Sequence, residues 1–478
     1  MSALTAIRVI ELADSVAGEY CGKLLADFGA EVIKVEPPER GSATRAMAPV
    51  LAGGCEGSVL FAYLNTNKQS VVLDLASASG TARLHQLIET ADAVIGPPAT
   101  DWAARHPSVV FCTITPHGQG APPEFDNARS ITVFHASGWG YHTPSHADPA
   151  KPPLQGPGRF LADYEAGLEA ALCVASSLFG RLHTGTGECI DISAHAVLVS
   201  RADCILGRFI TGEAPADGTR DDYDQSGPAA FFACADGYVY LYMTSRAHWH
   251  GMKTLMGQPK WLDEFDDDWL EFSVTADKVA TFRRGFAAWV AGLPREEVSE
   301  RAQRLGVPLV PVNGAADLHR SPQYRHRGFF QRVRHPVLGE AAYPTVPYLF
   351  SASPARISTA APSLGQHTRP VLDGIATGGG PAGGQGGAAQ NAQGSARRTA
   401  GRGARRRTHQ GVGWPVRGEA AGDAGRRSHQ DRNRRQPRGN ARLRRHRHQP
   451  CALLFEHQSR DPQRRPRHQI DRRHGPAA

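Results

Sequence analysis

Residues 6–36 constrain the fold more than any other stretch of the chain. AIRVIEL (6–12) is a short apolar run, GEYCGKLLADFG (18–29) has helical spacing and stops at a glycine, and AEVIKVE (30–36) is a second apolar run. Two buried strands joined by a helix predict a β-α-β unit, and such a crossover implies parallel strands with helices over the sheet. SVVLDLAS (70–77), a helix over 80–91, DAVIGP (92–97) and SVVFCTITP (108–116) continue the alternation. The first part of the chain is therefore expected to be a Rossmann-like α/β layer. Gly18 is the one glycine of the first turn, so a dinucleotide fingerprint is absent.

A different pattern surrounds Asp163. After GRFLADYE the run AGLEAALCVA has helical spacing, ends at the glycine-rich HTGTG (183–187), and leads into a strand at CIDI (189–192). Two readings of a lone acid at the start of an apolar helix stand side by side. It caps the helix, satisfying a free N–H. Alternatively it is a nucleophile whose charge is sustained by the helix N-terminus, with the neighbouring N–H groups available to an oxyanion.

The net charge of +8 is unevenly placed. Residues 381–478 hold 23 arginines, no lysine and six acids, which leaves 31 basic against 40 acidic side chains in the rest. The body is mildly acidic, so the whole-chain charge gives no reason to expect specific nucleic-acid binding there. The eight cysteines form no CxxC pair and sit mostly in apolar runs, which predicts reduced, buried thiols, a cytoplasmic setting and no metal cluster. The first residues show no signal-peptide pattern, and no apolar run reaches membrane-spanning length.

Residues 1–210 are expected to form the large α/β domain and 211–310 a smaller α+β domain, opening with a polar linker or lid at 211–228. That smaller domain should have strands at 237–245 and 306–312 and helices across 246–305. Residues 311–375 are expected to return to the large domain. Beyond 376 come a Gly-rich linker and an Arg-rich stretch with no apolar periodicity, which reads as a disordered basic tail. A sharper reading is available from codon degeneracy. Shifted by one base, EAAGDAGRRSHQDR (419–432) permits KLLAMLGAEVIKIE, beside KLLADFGAEVIKVE at 23–36. WPVRG just before it permits GPYAG, and FEHQSRDPQRRPRHQ (455–469) permits SNINRGTRSVVLDIK, beside LNTNKQSVVLDLA at 64–76. On that reading the tail is a frameshifted second domain.

GEYCGKLLADFGAEVIKVEPPERGSATR, LNTNKQSVVLDLAS, the single acid before a helix and GTGECIDIS together resemble the class III CoA-transferases, the CaiB/BaiF family that includes formyl-CoA transferases and α-methylacyl-CoA racemases. The resemblance covers about residues 1–370. It implies a large domain built from both ends of the body, a smaller inserted domain and an interlocked homodimer; the frameshift reading puts a missing fused second half in place of the partner. It implies transfer of CoA between an acyl-CoA and a free carboxylic acid, with Asp163 as the covalent nucleophile and no cofactor beyond CoA itself. By family position Val16 and Ala17, then Asn65, Thr66, Asn67 and Lys68, are expected at the nucleotide, with Lys68 meeting a phosphate as a point charge, and Arg129 as a further CoA contact. The chain departs from the family in having Glu19 where proline is usual and Gly96-Pro97-Pro98 where Glu-Asn-Phe is usual. A racemase would need a histidine where Arg129 stands. His135 lies nearby at another offset. A racemase or isomerase, or an inactive CoA-binding subunit, are the alternatives. Trp139, His142 and His146 are expected near the acyl pocket.

Overall fold

The structure is a computed structural model that describes residues 2–51, 56–98, 100–142, 158–202 and 228–376. The linker expected at 211–228 lies outside these residues except at Pro228, and the tail beyond 376 lies outside them entirely, as does His146.

Strand β1 (Arg8–Glu11) leads to helix α1 (Val16–Asp27), strand β2 (Glu31–Glu36), helix α2 (Val59–Leu64) and strand β3 (Lys68–Val72). Helix α3 (Ala78–Glu89), strand β4 (Ala93–Ile95), helix α4 (Thr100–Arg105) and strand β5 (Val110–Thr115) follow. Helices α5 (Ser130–Ala136), α6 (Trp139–His142) and α7 (Leu161–Thr184) precede strand β6 (Cys189–Ser193) and helix α8 (Ala194–Ser200). The six strands form one sheet in the order β3-β2-β1-β4-β5-β6, and every pairing is parallel. This is a doubly wound α/β order, with its topological switch point between β1 and β4. The strands read as continuous apolar runs because helices cover both faces. Val9, Ile10, Val71, Ala93 and Val110 are fully enclosed.

Local chemistry explains most boundaries. Helix α1 begins two residues before the sequence pattern suggested, because the Ser15 hydroxyl accepts the Gly18 N–H at 3.2 Å. Strand β3 likewise starts two residues early and ends at Val72. Ser77, expected inside that strand, instead caps α3 by accepting from the Gly80 N–H. Helices α2, α5 and α6 are too short to leave a periodic signature. Helix α7 ends where Gly185 takes φ +72°, at the glycine-rich loop read from the sequence.

A second core lies within residues 229–312, around Trp249, Trp269, Phe282 and Phe286. Strands β7 (Ala230–Cys234), β8 (Gly237–Leu241) and β9 (Leu309–Pro311) form its antiparallel sheet, with helices between β8 and β9. Strand β7 falls between the expected linker and strand and was not foreseen. Residues 330–344 make a hairpin of β10 (Phe330–His335) and β11 (Gly339–Pro344). The chain then returns to the edge of the large sheet. The Arg356 N–H donates to the Asp27 carbonyl, and His367 Nδ1 and Thr368 Oγ1 accept the free N–H groups of Ser70 and Val72 on β3. Cys21, Cys112, Cys173, Cys189 and Cys234 are free thiols.

Candidate active site

Asp163 is the third residue of α7, not its cap. The N-cap is Phe160, which makes no side-chain cap hydrogen bond, so no capping side chain occupies the first-turn donors of this 24-residue helix. Asp163 is partly buried, and its carboxylate is hydrogen-bonded by the Ser130 hydroxyl and by its own backbone N–H. Burial pushes the carboxyl above the ordinary aspartate value, and the two hydrogen bonds pull it back only in part. The acid is therefore raised rather than lowered, because desolvation outweighs these hydrogen bonds.

Close packing sets the acid's position. A Cβ on Gly167 would lie 2.5 Å from the Ala17 carbonyl oxygen, so glycine lets α7 rest directly on the start of α1. Tyr20 and Tyr164 meet edge to face with centroids 4.8 Å apart. Val16, Leu60 and Leu64 form a small buried cluster with Tyr63, Phe160 and Tyr164 packed on it. Tyr164 beside Asp163 has its phenol pushed up to about 12, mainly by burial and then by the acid's charge. The starts of α1, α5 and α7 thus converge around one carboxylate, walled by aromatic rings.

Val16 and Ala17 lie at this convergence, both buried. Arg129 is exposed immediately before Ser130, at the start of α5. Ser130 itself was missed as a functional residue, since a serine opening a seven-residue helix carries no sequence signal of its partner. His135 belongs to the packing instead. A Cβ on Gly140 would lie 2.0 Å from its Nδ1, and its ring meets Phe134 edge to face. Trp139 donates its indole N–H to the Leu198 carbonyl at 2.9 Å.

Asn65, Thr66 and Lys68 sit elsewhere, in the interior, with Asn67 half-buried beside them. Lys68 is neither solvated nor available as a phosphate ligand in this arrangement. Its ammonium is enclosed and donates to Glu11 Oε2 (2.8 Å), the Glu19 carbonyl (2.8 Å) and Asn65 Oδ1 (2.9 Å), which uses all three protons. Lys34 donates to Glu11 Oε1 (3.0 Å), Glu19 Oε1 (2.8 Å) and the Ala13 carbonyl (2.8 Å). The Glu19 carboxylate also accepts from Ser42 and Thr44 at 2.6 Å and from Asn65 at 2.9 Å. Thr66 accepts from Lys23, while Asn67, at φ +64°, ties Asp27 to residues 356–359. Two lysines and two glutamates with no exposed side-chain surface thus form a neutral buried network under α1. Burial opposes the charge of Glu19, but Lys34 and Lys68 outweigh it and hold the carboxyl below its ordinary value.

Gly96-Pro97-Pro98 line a crevice of about 430 Å³ at the carboxyl ends of β1, β4 and β5, with Asp14 and Thr115. This is the switch-point position at which open α/β sheets bind ligands. A neighbouring crevice of about 350 Å³ lies over β1, β2 and β3. Among the described residues no group of three or more His, Cys, Asp or Glu side chains is placed to hold a metal, and no helix is long and apolar enough to cross a membrane.

The model of CoA-transferase family III matches residues 4–368, and the chain belongs to that family. It is accordingly a CoA-transferase of family III. It is 28% identical over 395 residues to succinate–glutarate CoA-transferase of Agrobacterium fabrum, covering 78% of this chain and 96% of that protein. It is also 28% identical over 400 residues to formyl-CoA:oxalate CoA-transferase of Streptomyces coelicolor, covering 78% and 95%. The fold is that of a CaiB/BaiF family protein from Brucella suis, with a TM-score of 0.65 at 23% identity over 78% of this chain and 99% of that one.

Proposed function

We propose that the enzyme moves CoA from an acyl-CoA to a free carboxylic acid through covalent intermediates on Asp163. The observation that carries this reading is the Asp163 carboxylate at the open N-terminus of α7, partly desolvated and oriented by the Ser130 hydroxyl. A carboxylate whose pKa is raised by burial is a more basic nucleophile than an exposed one. Its oxygen attacks the thioester carbonyl, the carbon–sulfur bond breaks, and CoA leaves as the thiolate beside a mixed anhydride. The thiolate attacks the aspartyl carbonyl, releasing the donor's carboxylate and leaving an aspartyl-CoA thioester. The incoming acid's carboxylate attacks that thioester, and the freed thiolate then takes the new acyl group from the second anhydride and restores Asp163. No electrons are transferred to or from an external acceptor, and CoA is the one carrier required. The backbone N–H groups of Leu161 and Ala162 are the donors nearest in sequence for the oxyanions of these steps.

The relatives named for succinate, glutarate, formyl-CoA and oxalate support small carboxylic acids as the substrate class. The nucleotide is assigned to the switch-point crevices, with Arg129 as a cation near the acyl end. The thiols and the family support a cytoplasmic enzyme. A second copy of the fold completes the assembly. Leu168, Leu172, Phe179 and Leu182 form an exposed apolar stripe on α7, with Leu182 75% accessible, which an isolated chain has no reason to present.

Incubation with a panel of acyl-CoAs and trapping with hydroxylamine or borohydride tests the mechanism. Mass spectrometry should find modification on the peptide holding Asp163, and none in Asp163→Asn. An unmodified, folded, CoA-binding protein would refute the covalent route and point to an inactive subunit. Exchange of the α-hydrogen without an acceptor acid would point to a racemase instead.

A further inference from the structure

The buried network gives a way to read residues 414–469. The peptides that the shifted frame permits correspond to 18–36 and 64–76, which build α1, β2 and β3 and supply most of the network's charges. At the position of Glu19 the shifted codon is made from Pro415 and the first base of Val416, and it encodes Leu, Pro, Gln or Arg whatever the third base. With SVVLD (70–74) set against the shifted codons of 463–467, the position of Lys68 is made from Asp461 and Pro462 and encodes only Ile or Thr. The frame therefore removes a buried carboxylate and a buried ammonium together. At the position of Lys34 the codon made from Gln430 and Asp431 encodes only Lys or Arg, so the remaining cation is kept. Losing one charge of such a set leaves its partner uncompensated, whereas losing an opposite pair removes one charge of each sign.

Two backbone requirements are met in the same frame. Trp414 has one codon, and followed by any proline codon it forces glycine at the position of Gly18. A Cβ there would lie 2.2 Å from the Ala13 Cβ. Asn67 holds φ +64°, and the corresponding shifted codon permits glycine, which adopts that conformation without strain.

We infer that the coding DNA carries, one base out of register across residues 414–469, a second copy of the unit formed by residues 18–36 and 64–76, so that the same gene encodes a second domain of this fold as the chain's partner. The second copy lacks the Glu19 carboxylate and the Lys68 ammonium. This rests on the network geometry and the codon table, and stands or falls separately from the role of Asp163.

Sequencing the genomic DNA across codons 408–478 tests it first. The expected result is an open shifted frame whose wobble bases spell the second copy, for example Ala codons ending in T at Ala420 and Ala421. A stop codon in that frame, or wobble bases spelling unrelated residues, would overturn the inference. Removing one base upstream of the Trp414 codon then yields the restored product. Under limited proteolysis read by mass spectrometry, the restored segment should resist cleavage under conditions that digest residues 398–478 of the original chain. Equal digestion of both would overturn the claim that the frame encodes a folding domain.

Discussion

Glu19 and Lys68 offer the sharpest test of what holds the large domain together. Each is buried with no exposed side-chain surface, and with Glu11 and Lys34 they sum to zero charge. At 2.8 Å and an effective dielectric of about 20, a single lysine–carboxylate contact is worth about 6 kcal/mol before desolvation is subtracted. Glu19→Gln leaves two cations facing one carboxylate, and Lys68→Met leaves two carboxylates facing one cation. Breaking a buried pair from one side costs about 3–5 kcal/mol, a large part of the roughly 5–15 kcal/mol that stabilises a typical domain. The double variant restores neutrality, so its cost should fall below the sum of the singles by about 2–3 kcal/mol. Urea denaturation of the full chain reads all four proteins, with unchanged slopes showing that only stability moved. Additivity within about 0.5 kcal/mol would refute charge balance as the organising principle of this interior. pH gives an independent check. Glu19 is held below its ordinary value of 4.5 in the fold, so its contribution is full above the unfolded-state value and is lost as pH falls through the folded one. The gap between the parent and Glu19→Gln should therefore close on acidification.

Asp163→Asn should lower turnover by at least about 10³-fold while raising the midpoint of thermal unfolding at neutral pH. The parent carboxyl is raised in the fold, so its ionisation destabilises the native state as pH rises, and asparagine escapes that cost. Ser130→Ala removes the hydroxyl that favours the charged acid. It should lower kcat about tenfold and move the acidic limb of the pH–rate profile upward, with Ser130→Thr restoring both. Gly167→Ala places a methyl against the Ala17 carbonyl and should cost about 1–3 kcal/mol in denaturation experiments.

The parallel sheet was legible because buried strands and covering helices leave contiguous apolar runs, and GEYCGKLLADFG followed by AEVIKVE shows both periods at once. Asp163 was legible as a residue but not as a position. Phe160 offers no capping chemistry, so the sequence could not tell a cap from the third residue of the first turn, nor show that desolvation governs its charge. The misplacement of Lys68 has a similar origin. NTNKQ reads as a polar turn, and nothing in it announces that the Glu11 carboxylate on β1 and the Glu19 carbonyl on α1, more than forty residues earlier, accept its hydrogen bonds. Ser130 was invisible for the same reason, because its partner lies on another helix.

The edge of β3 depends on residues made very late. The N–H groups of Ser70 and Val72 find their acceptors at His367 and Thr368, 297 and 296 positions further on. A ribosome adding about 5–20 residues per second leaves that edge bare for roughly 15–60 s. Through this interval the nascent domain exposes an open strand to its neighbours on the same message. Products truncated before residue 367 never close it, so premature termination should yield aggregates where a full-length body yields a folded protein.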